Sequence, residues 1–263
     1  MVRRLALVFC ALIPMAALGC GGGAKGDTTT SLPGKDRGSE TASNPSTEPT
    51  LAMPASRYAI SVDDMPKDPS TGNAAYLTDL RATFVLDVKN YGKTTAFSSA
   101  DEGERLLTQW GYLGGYETGL IPEGRDATVL NGGYYVNVEV HLFKTADGAK
   151  KAFDQFNGVL SAGGKSQQVQ TTALGNQSSA WTLTEGKVGN STVNMVYHQL
   201  IFRRGNLVAA VLTRGAEGFM KVDTVRSVAA IVDQKALGQK QAIEPTPIPT
   251  AVPPSSPSPT RKP

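Results

Sequence analysis

The chain has 263 residues, 40% of them hydrophobic and 19% charged, with a formal net charge of +3. Without Arg3 and Arg4, 24 basic side chains stand against 23 acidic ones, which removes the general basic character that nucleic-acid binding requires. Cys10 and Cys20 are the only cysteines, so nothing beyond residue 20 can form a disulfide, a cysteine nucleophile or a thiolate metal site.

The first element is a basic pair, Arg3-Arg4, followed by an uncharged stretch from Leu5 to Gly19. That stretch falls short of the about 20 apolar residues that span a bilayer, and Pro14 interrupts it. It runs into Ala17-Leu18-Gly19-Cys20 and then Gly21-Gly22-Gly23. A basic start, an apolar middle and a small-residue exit mark a secretory signal. With a cysteine at that exit, the segment resembles the export signal and lipobox of bacterial lipoproteins. The resemblance implies a signal peptide over 1–19, removed by cleavage before Cys20. It also implies a diacylglycerol on the Cys20 thiol and fatty acyl chains such as palmitate. The expected place is then the cell membrane, lipid-anchored and facing outside the cytoplasm. Two or more acyl chains hold durably where one is marginal.

Residues 21–55 are mostly Gly, Ser, Thr, Pro and scattered charge, with Leu32 and Leu51 among the few large apolar side chains. Such a composition predicts a flexible tether over 20–55. Its reach as a coil is on the order of 30 Å. The other end, from Glu244 to Pro263, holds eight of the sixteen prolines and predicts a disordered tail over 242–263.

Between them, the pattern predicts a globular unit over 56–241. A weak strand is expected at Tyr58–Val62. Asp63-Asp64-Met65-Pro66 follows as a solvated turn, its prolines unsuited to a calcium loop. A short helical turn is expected over 74–80, then a strand alternating through Ala82, Phe84, Leu86 and Val88. Ser99-Ala-Asp-Glu102 reads as a capping box opening a helix with Leu106, Leu107 and Trp110 on one side. After the turn at Asn131-Gly132-Gly133, the residues Tyr134, Val136, Val138, Val140 and Leu142 alternate as a strand. Ala149, Ala152, Phe153, Phe156 and Leu160 form an amphipathic helix after Thr145, stopped by Gly163-Gly164. Those glycines precede Lys165-Ser166 but lack the spacing and strand-to-helix context of a phosphate loop. Weaker strands are expected at Gln167–Thr172 and Ser179–Thr184. Val193–Phe202, apolar on both faces, pairs with Leu207–Leu212 across a turn at Gly205-Asn206. Val222, Val225, Ala229, Val232 and Ala236 mark a last helix.

Hairpins interleaved with helices, without regular β-α-β alternation, predict a single α+β domain flanked by disordered segments. Its mostly antiparallel sheet carries about three helices. In element order alone the domain resembles the PsbP/Mog1-like domains of some bacterial lipoproteins, a resemblance that transfers no site residue.

No catalytic, metal-binding or cofactor-binding motif stands out. No Gly-x-Ser-x-Gly elbow is present, and the two histidines are not joined by further ligands at metal spacing. His141 shares a strand face with Glu139, which predicts a polar pair on the wetter side of the sheet. His198 is expected to be a hydrogen-bonded core imidazole. Trp110, Tyr112, Tyr116, Tyr134 and Tyr135 gather around glycines and form the candidate binding cluster. Arg203-Arg204 at the hairpin tip is a candidate for anionic polymer or headgroups. The expected function is a non-enzymatic, lipid-anchored domain that binds a ligand or partner, such as a cell-envelope glycan or protein. A carrier of an apolar ligand and an envelope hydrolase using Glu139 and His141 are the alternatives.

Overall fold

The computed structural model describes residues 48–68, 72 and 75–241. The signal segment, Cys20, most of the tether and the proline-rich tail lie outside them.

A seven-stranded antiparallel sheet, β1 (Tyr76–Leu86), β2 (Tyr112–Pro122), β3 (Tyr134–Phe143), β4 (Gln167–Val169), β5 (Gln177–Lys187), β6 (Asn194–Arg204) and β7 (Leu207–Ala216), organises the domain. Its spatial order is β1-β2-β3-β7-β6-β5-β4. The helices are α1 (Val88–Gly92), α2 (Ala100–Gln109), α3 (Asp126–Val129), α4 (Ala146–Ala162) and α5 (Val222–Ala236). The α+β class and the single antiparallel sheet are as the sequence predicts.

The helices cover both faces of that sheet. Val136, Val138, Val140 and Leu142 of β3, with Leu207, Ala209 and Val211 of β7, pack under α5 through Val225, Ala229 and Val232. On the opposite face Phe143, Val208, Ala210 and Ile201 meet Phe153, Phe156 and Leu160 of α4, together with Leu107 of α2. The result is three layers, with β3 and β7 largely buried on both sides, β7 through a nearly continuous apolar run and β3 with polar residues on its α4 face.

Local chemistry explains most boundaries. The Ser99 hydroxyl accepts the Glu102 amide at the start of α2 (3.2 Å), so half of the predicted box forms. The Glu102 carboxylate instead takes the Ser98 amide (3.3 Å). Thr145 caps α4 by accepting from the Gly148 amide (3.1 Å). Val88, expected to end the first strand, opens α1, because Asp87 and Asn90 exchange the two hydrogen bonds of a capping box.

Three expectations need correction. The segment over 74–80 is not a helical turn: from Tyr76 it belongs to β1, whose Tyr76 pairs with Pro122 while Leu77 and Leu80 face solvent. Tyr58–Val62 is not a strand. It joins two 3-10 turns, Ala55–Tyr58 and Val62–Asp64, where the Asp64 carboxylate accepts from the Ser61 amide (2.8 Å) and the Lys235 ammonium donates to the Ala59 carbonyl (2.6 Å). Residues 48–55, given to the tether by composition, form a strap on the sheet. Leu51 and Ala55 are buried there, and Asn206 holds Leu51 by two hydrogen bonds (2.6 and 3.0 Å).

β2 escapes the sequence reading altogether. Its glycines suggest a loop, yet it pairs along its length with β1 and β3.

Candidate functional site

A cluster of buried polar groups sits on the α4-facing side of the sheet, where the paired strands β2 and β3 meet Tyr91 of α1. Antiparallel register places Glu117 opposite Glu139, Gly115 opposite His141 and Gly119 opposite Asn137. Directly opposed residues share a face, so both carboxylates, the imidazole and the Asn137 amide point into one layer. The predicted pair forms, with His141 Nε2 lying 3.3 Å from Glu139 Oε2. Its surroundings differ from expectation. His141 is 0% exposed, Glu139 2% and Glu117 6%, so this face is dry rather than wet.

Each group has a partner. Tyr91 of α1 donates its hydroxyl to Glu139 Oε2 (3.4 Å) and lies 4.3 Å, centroid to centroid, from the His141 ring. The Tyr112 hydroxyl lies 3.2 Å from His141 Nδ1. Asn137 donates to Glu117 Oε1 (2.8 Å). Burial first, and then the charge of Glu139, pushes both phenols well above the ordinary tyrosine range, so they remain protonated donors. Gly115 makes the arrangement possible. A Cβ there would lie 2.6 Å from the Tyr112 hydroxyl and 2.9 Å from His141 Nδ1. The two carboxylates face one another directly across the β2–β3 ladder, each with a hydrogen-bond donor, Asn137 for Glu117 and Tyr91 for Glu139.

Chemically, the cluster places an acid-base pair, His141 and Glu139, between two phenols, Tyr91 and Tyr112. Phe156 closes over it, its ring 5.5 Å from that of His141. The sequence pointed to His141 and Glu139. It missed Glu117, Tyr91, Asn137 and Gly115, because β2 was not recognised as a strand and α1 is a single short turn.

The five aromatic candidates do not converge. Trp110 and Tyr112 pack in the α4-side core, while Tyr116 belongs to the α5-side core. Tyr134 rests on Tyr76 on the α5 side (centroids 5.7 Å apart). Tyr135 stands at the far end, under the Arg214 guanidinium (4.6 Å) and hydrogen-bonded to Asp126 (2.6 Å). Burial and that aspartate push its hydroxyl up to about 12. Tyr134 and Tyr135 are successive strand residues and alternate between faces, and the bulge between Tyr112 and Gly114 puts Tyr112 and Tyr116 on opposite faces.

The hairpin arginines are also engaged. Arg203 makes a forked pair with Glu48 (2.5 and 3.0 Å) and reaches Gln177 (2.9 Å). Arg204 forks onto Asp233 of α5 (2.7 and 2.7 Å). Asp64 is no solvated turn residue. It meets Lys235 at 2.6 Å and Lys240 at 3.1 Å, with the Asp64 and Lys235 side chains fully buried. Burial raises the Asp64 carboxyl, but hydrogen bonds from Lys235, Ser61 and Lys240 outweigh it and hold it below the usual range.

His198 is buried as expected, on the α5 side of β6 and opposite Thr213, but the expected hydrogen bond is not made, since both ring nitrogens are without a partner within hydrogen-bond geometry among the described residues. Burial holds its imidazole below the usual range, opposed in part by the Met220 backbone.

Among the described residues no group of three or more His, Cys, Asp or Glu side chains could hold a metal ion. None of their helices is long and apolar enough to cross a membrane.

An open groove of about 340 Å³ lies where β4 diverges from β5. Gln168, Gln170, Thr171, Ser178 and Ser179 line it together with Val169 and two alanines. This lining is neutral and largely polar, unlike the continuous apolar cavity that a carrier would show.

No protein-family model matches the chain, and no curated protein does. Among solved structures it is similar to the extracellular domain of PknH from Mycobacterium tuberculosis. The identity is 16% over 62% of this chain and 82% of that one, with a TM-score of 0.32. The likeness is too distant to carry a function.

Proposed function

We propose that this chain is a lipid-anchored lipoprotein outside the cytoplasmic membrane, and that its folded domain binds a ligand or partner without catalysing a reaction. The anchor follows from the segment Arg3 to Cys20. The observation behind the non-enzymatic reading is the enclosure of the Glu139–His141 pair. A reactive pair must meet its substrate, and these side chains meet Tyr91, Tyr112 and Phe156 instead.

The β4–β5 groove is the proposed place of binding. Its hydroxyls and amides suit a neutral, hydroxyl-rich ligand such as an envelope glycan. The ladder between β4 and β5 ends at Val169 and Ala180, which opens the groove beyond that pair.

Hydrogen exchange on the full-length protein, with and without soluble cell-wall glycan fragments, tests this reading. Slowed exchange confined to 167–173 and 178–180, with the glycan recovered intact, is the expected result. Turnover of the glycan would overturn the non-enzymatic reading, and unchanged exchange across those segments would remove the groove from it.

A further inference from the structure

We infer that the end of the sheet where the strap begins rests on the membrane surface, with Met53, Val85 and Leu113 touching the lipid. The inference rests on the lipid anchor at Cys20 and adds a second contact and an orientation to it.

Register fixes which residues share that end. Tyr112 pairs with Phe143, Leu86 with Gly115, and Leu142 with Leu207 beside the Gly205-Asn206 turn. Glu48 is fastened to the same end by Arg203, and Leu51 by Asn206. The polypeptide leading toward Cys20 therefore leaves the domain here.

Three large apolar side chains stand exposed at this end: Met53 (41%), Val85 (66%) and Leu113 (42%). Met53 lies across β2 at Gly114, where a Cβ would sit 3.0 Å from its methyl group. Leu113 is the extra residue of a bulge between Tyr112 and Gly114, which leaves it without a partner across the β2–β3 ladder.

The charges nearby complement an anionic surface. Lys89 and Lys144 are exposed, and Lys144 is joined to this end by the hydrogen bond its backbone N–H donates to the Gly111 carbonyl (2.8 Å). Of the acidic groups here, Glu48 is paired with Arg203, and Asp87 caps α1 through the Asn90 amide and remains a negative charge, so the two lysines leave the balance positive. Exposed apolar side chains also occur at the opposite end, Leu77 and Phe219 among them, but the chain toward Cys20 does not leave there.

Proximity favours the bilayer over other occupants. Glu48 follows Cys20 by 28 residues, a span that cannot exceed roughly 100 Å even fully extended. An anchored domain thus meets the lipid surface at high local concentration, and weak apolar and lysine contacts are enough to orient it.

The test uses full-length, lipidated protein reconstituted into vesicles of phosphatidylcholine and phosphatidylglycerol carrying brominated acyl chains. A bimane label is placed at Leu113→Cys, at Val85→Cys, or at Phe219→Cys as the far-end control. We expect quenching at 113 and 85 roughly threefold stronger than at 219, and its loss at 113 when Val85→Glu is added. Equal quenching at both ends, or none, in a chain that pellets with the vesicles overturns the docking and leaves the anchor standing. Self-quenching that depends on label density and not on bromine would show a second copy covering the patch, and also overturns it. A chain that fails to pellet contradicts the anchor reading, and the docking inference falls with it.

Discussion

Lys235 shows how a single residue holds two layers together. Its ammonium is fully buried between the Ala59 carbonyl and the Asp64 carboxylate, each at 2.6 Å. Removing it leaves the buried Asp64 with only the partly exposed Lys240 as its cation, so Lys235→Met should cost up to about 3–5 kcal/mol. Urea denaturation will measure it, and adding Asp64→Leu should recover most of the loss. His198 gives the clearest pH dependence. Its folded imidazole titrates below the ordinary 6.5, so the unfolded chain binds the extra proton. Its contribution is complete above about pH 6.5 and fades as the pH falls toward the folded value. Melting curves from pH 7.5 to 5 should therefore fall for the native chain, and the fall should be smaller in His198→Leu. Sequence showed both histidines on strands and His198 in the core, but not the dryness of the face that holds His141. Lys235 and Asp64 are polar residues at the margins of their elements, and only the tertiary meeting of a 3-10 turn with α5 buries them.

The elements that declared themselves in sequence were those with a clean period, namely α4, α5, β3 and the β6–β7 hairpin. Those that did not are held by contact with something distant. β2 is rich in glycine because Gly115 must admit Tyr112 and His141, and because Gly119 lies against Ala82 in the β1 bulge. The same economy governs α1 and α2, which approach so closely that a Cβ on Gly103 would overlap the Gly92 backbone. Gly103→Ala should destabilise the domain by about 1–3 kcal/mol through overpacking, in spite of the better helix propensity of alanine. Thermal denaturation will show the sign. The strap is a third case. Gly205 has a φ of 55° and sits so close that a Cβ would overlap the Pro49 carbonyl. Gly205→Ala should lift residues 48–55, read as faster exchange of the Leu51 amide and protease cleavage in that segment. Composition alone hid the strap, since its fastening comes from Asn206 and Arg203, about 155 residues along the chain.

As a whole, the domain is a sheet with its polar cluster sealed inside, its hairpin arginines spent on internal pairs, and its strap directed back toward Cys20. The candidate site was half legible. His141 and Glu139 could be named from alternation, whereas the aromatic cluster failed because a strand distributes neighbours to two faces. Every part of the functional account places the domain on a membrane through one modified thiol. Intact-mass analysis of the chain purified from the membranes of a bacterial host tests this most directly. The account predicts a mature protein beginning at Cys20 and heavier than its sequence by a diacylglyceryl group and any added acyl chain, with Cys20→Ser lost from the membrane fraction. An unmodified mass, or a Cys20→Ser chain that stays with the membranes, would contradict it.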